Sequence, residues 1–159
     1  MRVPAMVTGV ALLVAACGGE KKTSTSAEST AAAPPAAAPT AAPAPATGAT
    51  HEIQMVTTGT NSFKFVPDNI TIKTGDAVVF KGVSGLSHDV AFYPDSIPPG
   101  AADVLNKNIA DKPQDLATPL INDGQSVTVS FAGAPPGTYK YYCIPHMAFG
   151  MKGTIVVTP

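Results

Sequence analysis

Eight short runs of apolar or alternating residues recur between residues 52 and 158: EIQMVT, FKFV, ITIK, AVVFKG, HDVAFY, SVTVSF, TYKYYC and GTIVVT. Their length suits strands and is too short for packed helices. Turn signals stand between them, among them Thr74-Gly75-Asp76, Asn122-Asp123-Gly124 and Pro135-Pro136-Gly137. Each pairs a residue that fixes or tolerates an unusual φ with a neighbouring strand. The spacing predicts an all-β sandwich of seven or eight strands joined by antiparallel hairpins. One exception is Gly100 to Ala110, where Leu105 and Ile109 at i, i+4 follow Pro98-Pro99 and predict one short helix in a long crossover. With 14 Gly and 16 Pro in 159 residues, a coiled coil or helix bundle is disfavoured.

The chain divides into three parts. Residues 1–16 carry one Arg2 followed by an apolar stretch shorter than the roughly 20 residues of a spanning helix, and read as an export signal. Val14-Ala15-Ala16-Cys17 resembles the lipobox of bacterial lipoproteins, which implies that Cys17 becomes a lipidated thioether and holds the mature chain to an extracytoplasmic membrane surface. Residues 17–50 form the second part, and positions 23–50 hold 12 Ala, 6 Thr, 5 Pro and 3 Ser out of 28. Such a composition cannot bury a core, so the segment is expected to be a disordered tether reaching up to about 85 Å if extended. Residues 51–159 are then the folded domain.

That domain carries 7 Lys against 9 Asp and Glu. Without a basic run there is no footprint for a phosphate backbone, which excludes nucleic acid as a partner. Two cysteines, one of them in the export region, leave no disulfide framework.

Chemistry concentrates in Cys143-Ile144-Pro145-His146-Met147-Ala148-Phe149-Gly150-Met151. Period-two alternation puts Cys143 on the face of Tyr139 and Tyr141, with Lys140 and Tyr142 opposite, so Cys143 faces inward. Applied to residues 88–92, the same rule turns His88 inward with Val90 and Phe92 and turns Asp89 outward. Two imidazoles, a thiolate and a weak thioether suit copper, because the sulfurs stabilise Cu(I) while imidazoles accept either oxidation state.

The spacing Cys-x2-His-x4-Met, the ending PPGTYKYYCIPHMAFGMKGTIVV and the early FVPDNITIKTGDAVVF resemble the cupredoxin family, its plastocyanin and pseudoazurin branches in particular. The resemblance covers nearly all of residues 60–158. It implies a Greek-key sandwich with one copper ion held at a pole by His88, Cys143, His146 and Met151. It also implies an electron carrier, not an enzyme, and makes Tyr142 a second electron route. Electrons would pass through His146 within an apolar docking patch of Leu86, Pro145, Met147, Ala148 and Phe149, met by redox partner proteins. The family usually has Asn where this chain has Asp89, a residue that helps tie the two ligand loops. Acidic surface patches of the plant members have no counterpart, since Asp95, Asp103, Asp111 and Asp115 are scattered among Lys107 and Lys112.

Other readings of these residues compete less well. Cys143 and His88 could each be core packing. Structural zinc takes four strong ligands, and the fourth here is a thioether. A triad of Ser87, His88 and Asp89 fails because strand neighbours project to opposite faces. Met147 rivals Met151 as axial ligand but is expected outward, and His51 is expected to be solvated. A copper oxidase would need further histidines, and only His51 remains. The expected protein is a monomeric, lipid-anchored single-electron carrier. The alternative is an extracytoplasmic copper-delivery protein.

Overall fold

The computed structural model describes residues 44–159. The expected signal peptide, Cys17 and most of the expected tether lie outside them. Among the described residues there are eight strands: β1 (Thr50–Gly59), β2 (Ser62–Val66), β3 (Asn69–Lys73), β4 (Ala77–Gly82), β5 (Ala91–Phe92), β6 (Ser126–Ser130), β7 (Gly137–Tyr142) and β8 (Lys152–Thr158). One helix, α1 (Ala101–Asn108), occupies the expected crossover and buries Ala101, Leu105 and Asn108. The strands form two four-stranded sheets, ordered β2-β1-β4-β6 and β3-β8-β7-β5. Between them lies a continuous apolar core that includes Ile53, Met55, Phe65, Phe80, Phe92, Phe131, Tyr139, Tyr141 and Ile155.

Two pairings depart from the hairpin expectation: β1 runs parallel to β4 and β3 runs parallel to β8. Turn chemistry reports only on neighbours in sequence, whereas these pairs join strands separated by whole connections, as a Greek-key chain requires. The strand expected over residues 88–93 also shrinks to Ala91–Phe92. His88 instead makes an isolated bridge to Ile121, its N–H donating to the Ile121 carbonyl at 2.9 Å and its carbonyl accepting from the Ile121 N–H at 2.8 Å.

Ordered packing begins before the expected boundary at residue 51. Thr47 and Gly48 donate N–H bonds to the Gly75 carbonyl at 2.9 and 3.0 Å, and Ala49 donates to Asp76 Oδ1 at 2.8 Å. Gly75 sits at φ 96°, a left-handed geometry that suits glycine, and this turn delivers the Asp76 carboxylate. His51 is not free in solvent: its Nε2 lies 2.8 Å from Asp76 Oδ2. The pair sits where β1 and β4 start, at the other end of those strands from the loop that leads to His88.

Candidate metal centre

β7 delivers the first ligand-type side chain. Tyr139, Tyr141 and Cys143 are all fully buried, while Lys140 is exposed and Tyr142 half-buried, as pleat alternation demands. Both tyrosine hydroxyls are satisfied, Tyr139 donating to the Pro135 carbonyl at 2.6 Å and Tyr141 to the Asp68 carbonyl at 3.2 Å. A Cβ at Gly153 would collide with the Tyr141 hydroxyl and the Asp68 carbonyl, so glycine is required beside this bond.

Beyond β7 the chain folds back on itself. His146 N–H donates to the Cys143 carbonyl (3.2 Å), Met151 N–H to the His146 carbonyl (3.3 Å) and Cys143 N–H to the Met151 carbonyl (3.1 Å). A single 3-10 turn, Met147–Phe149, ends at Gly150 with φ 80°, whose N–H donates to the Met147 carbonyl at 2.9 Å. This left-handed residue reverses the chain so that Met151 returns, buried, beside Cys143 and His146. Met147 is 52% exposed on the outside of the same turn.

His88 arrives from the other segment. Its Nδ1 lies 3.8 Å from Cys143 Sγ, and His146 Nδ1 lies 3.3 Å from the same sulfur. The ligand atoms of His88, Cys143 and His146 all fall within 4.8 Å of one another, and all three residues are buried. Two imidazole nitrogens thus lie close to one sulfur at a buried site, a borderline and soft donor set that fits copper. His88 Nε2 makes no well-formed hydrogen bond, the Ser84 carbonyl being its weak polar neighbour, and the backbone bridge to Ile121 holds the segment.

Asp89 overturns the outward expectation. It is 3% exposed, and its Oδ1 accepts the Ile144 N–H at 2.7 Å. Strand alternation fails here because residue 88 belongs to an isolated bridge, not to a ladder. Asp89 therefore ties the His88 segment to the Cys143–Met151 loop, the linking part that the resemblance assigns to Asn.

Burial dominates the protonation states. It pushes the Cys143 thiol up to about 12, partly opposed by the Asp89 backbone N–H. Burial likewise pushes His88 and His146 below the ordinary histidine range, His88 adding to the effect on His146. Asp89 is raised by burial against the pull of the Ile144 N–H. Above neutral pH both imidazoles are thus uncharged and able to present a lone pair.

Two aromatic residues escaped the sequence reading. Phe63 on β2 stacks on the His146 ring, with centroids 3.8 Å apart and planes at 15°, and it also meets Phe149 at 5.3 Å. The alternation of β2 (Phe63 and Phe65 in, Lys64 out) marks Phe63 as buried but cannot say over which residue it lies. Tyr93 packs on Tyr142, with centroids 4.3 Å apart and planes at 33°. Around the pole, Leu86, Ile144, Met147 and Phe149 are exposed, as is Pro145, while His146 itself is nearly covered.

Residues 52–158 match the family described as copper binding proteins, plastocyanin/azurin family. The chain belongs to that family. It is 37% identical over 99 residues to the major plastocyanin isoform of Arabidopsis thaliana, an alignment covering 62% of this chain and 54% of that protein. The chain therefore spans about half the length of that curated relative. Among solved structures, the oxidised plastocyanin of Dryopteris crassirhizoma shares 30% identity at a TM-score of 0.51, covering 67% of this chain and 99% of that one. A pseudoazurin from Methylobacterium extorquens AM1 shares 25% identity at a TM-score of 0.51, covering 68% of this chain and 74% of that one. Cupredoxin architecture and a copper cofactor follow from the family match and the donor set together.

Proposed function

We propose that this cupredoxin is a membrane-tethered carrier of single electrons in which His88, Cys143, His146 and Met151 hold one copper ion. Copper, when bound, supplies the Cu(I)/Cu(II) couple. The chain's part is to keep donors that suit both states in one place, so that little has to rearrange when the charge changes. The observation that carries this reading is the convergence of His88, Cys143 and His146, whose ligand atoms lie within 4.8 Å of one another and whose Nδ1 atoms lie 3.8 and 3.3 Å from Cys143 Sγ, at a buried site. The loop's six internal backbone bonds and the Asp89 tie support it by fixing the donors in advance.

Electron exchange takes place at the pole, where the nearly covered His146 stands between exposed Pro145 and Met147 in the loop and Leu86 and Phe149 are also exposed. Redox partner proteins meet this apolar patch over a small area, under roughly 1,200 Å², as transient redox encounters do. Tyr142, covalently next to Cys143, gives a second route. Burial of all three strong donors counts against a delivery protein, which needs an exchangeable site.

The export signal, lipidated Cys17 and Ala/Pro/Thr-rich segment place the domain on an extracytoplasmic membrane surface, as a monomer near membrane-bound donors and acceptors. Tethering raises its effective concentration there. Among the described residues no helix is long and apolar enough to cross a membrane.

The test is optical. Copper-loaded, oxidised full-length chain should show an intense visible thiolate-to-copper band that Cys143→Ser abolishes, while Met151→Leu keeps a coloured but shifted centre. A Cys143→Ser protein that stays blue refutes the ligand set, and a wild-type chain that binds only Cu(I) and stays colourless refutes electron carriage.

A further inference from the structure

Among the described residues Met147 is the one methionine that solvent reaches. It is 52% exposed, while Met55 is 0% and Met151 1% exposed. Met147 opens the 3-10 turn Met147–Phe149, directly after His146 and exposed Pro145. Its N–H donates to the Ile144 carbonyl at 3.5 Å and its carbonyl accepts the Gly150 N–H at 2.9 Å, so the turn is held by backbone and not by the thioether. Phe149, exposed at the other end of the turn, stands 5.3 Å from the Phe63 ring that stacks on His146. The accessible sulfur therefore sits in the apolar rim of the candidate metal centre. A soft, exposed thioether is the side chain that peroxides oxidise most readily after a thiolate, and the thiol here is fully buried.

Resting on the electron-carrier reading, we propose that Met147 is a modification site for peroxide, whose sulfoxide turns the docking rim polar and slows electron exchange there. The thioether sulfur attacks one peroxide oxygen; the O–O bond breaks, an S–O bond forms and water leaves. Sulfur loses two electrons and peroxide gains two, so the copper couple takes no part. The product is a polar, chiral group in place of a flexible apolar one. Any apolar partner face must then desolvate an S–O dipole that it leaves unpaired. The ligand loop is spared, because its backbone bonds form without the thioether. Met151, the candidate axial donor, is shielded by burial, so peroxide meets the rim before the centre. Oxidation at Met147 thus alters docking and leaves colour in place, and thiol-dependent sulfoxide reductases reverse it.

Three measurements on the full-length chain test this. In the first, metal-free protein is exposed to hydrogen peroxide and the oxygen gained at each methionine is timed by peptide mass spectrometry. Met147 should react on the order of tenfold faster than Met55 and Met151; comparable rates at all three overturn the site. In the second, the treated metal-free protein is run on a phenyl-substituted resin, where the sulfoxide form should elute earlier. Unchanged retention overturns the change in the rim. In the third, peroxide is removed, copper is loaded, and self-exchange between Cu(I) and Cu(II) copies is read from NMR line broadening. It should slow about fivefold or more, as burying an unpaired polar group implies, with the visible band unchanged. Methionine sulfoxide reductases with dithiothreitol should restore it. Met147→Gln should exchange slowly without peroxide, and Met147→Leu should keep one rate before and after it. Equal slowing of peroxide-treated Met147→Leu, or no slowing of the wild-type chain, overturns the proposal. The first two measurements need no metal, so a colourless copper-loaded protein would sink the carrier reading separately.

Discussion

Loading the metal should release a single proton, and that proton should come from sulfur. In the metal-free chain burial lifts the Cys143 thiol to about 12, so it is protonated throughout the neutral range. The same burial lowers His88 and His146, leaving both imidazoles neutral above their ordinary value of about 6.5. A metal ion therefore displaces the thiol proton and none from nitrogen. Between about pH 7.5 and 9.5 the apparent affinity for Cu(I) should rise tenfold per pH unit, about 1.4 kcal/mol each, or about a hundredfold across the window. Competition against a chelator of known proton affinity gives the slope. Calorimetry in buffers of differing ionisation enthalpy counts the proton directly. A flat pH profile would mean that the thiolate is already formed without metal, and the burial reasoning would be wrong. Release of two protons would mean that an imidazole enters charged. The linkage also has a metal-free signature. Because the folded thiol value lies above the unfolded one, its stabilising contribution is complete below about pH 8.5 and is lost as pH climbs toward 12.

Three further outcomes follow from particular contacts. Phe63→Ala should cost about 3–5 kcal/mol in denaturant unfolding, as for other buried aromatics, and should uncover His146; a loss below about 1 kcal/mol would show that the stack on His146 carries little packing. Asp89→Ala should weaken the metal-free fold by about 1.5–3 kcal/mol, since the Ile144 N–H loses a carboxylate partner, while Asp89→Asn keeps an acceptor and should lose less. Equal loss in both variants would place the effect in charge, not in the bond. Asp76 is held below the ordinary carboxylate range by the Lys73 N–H first and the His51 side chain next. Its contribution is thus present above about pH 3.8 and disappears as pH falls through the lowered value. Asp76→Asn should flatten the acid limb of the stability curve, and an unchanged limb contradicts that role.

The ligand loop was legible because its chemistry is local. Cys143, His146 and Met151 lie within nine residues, and β7 is a regular strand whose alternation is visible in Tyr139, Lys140, Tyr141 and Tyr142. The same rule failed one step away. Residues 88–90 stand outside the two-residue strand β5, so Asp89 could not be placed by counting faces. Phe63 was illegible for a different reason. It reaches His146 from β2, 83 positions earlier (146 − 63), and nothing in either segment alone specifies that stack. The parallel pairings of β1 with β4 and of β3 with β8 have the same origin, being set by the whole core and not by any one turn. Linker composition likewise could not reveal that Thr47 to Ala49 are claimed by Gly75 and Asp76.

Anomalous scattering at the copper edge, from crystals of the full-length chain loaded with one equivalent, bears most directly on the centre. A single strong peak bounded by the Nδ1 atoms of residues 88 and 146 and by Sγ of residue 143, with the thioether of residue 151 on the remaining side, is the predicted result. A peak beside His51, or one touching the Cys143 loop while the residue 88 imidazole stays unbound, would contradict it.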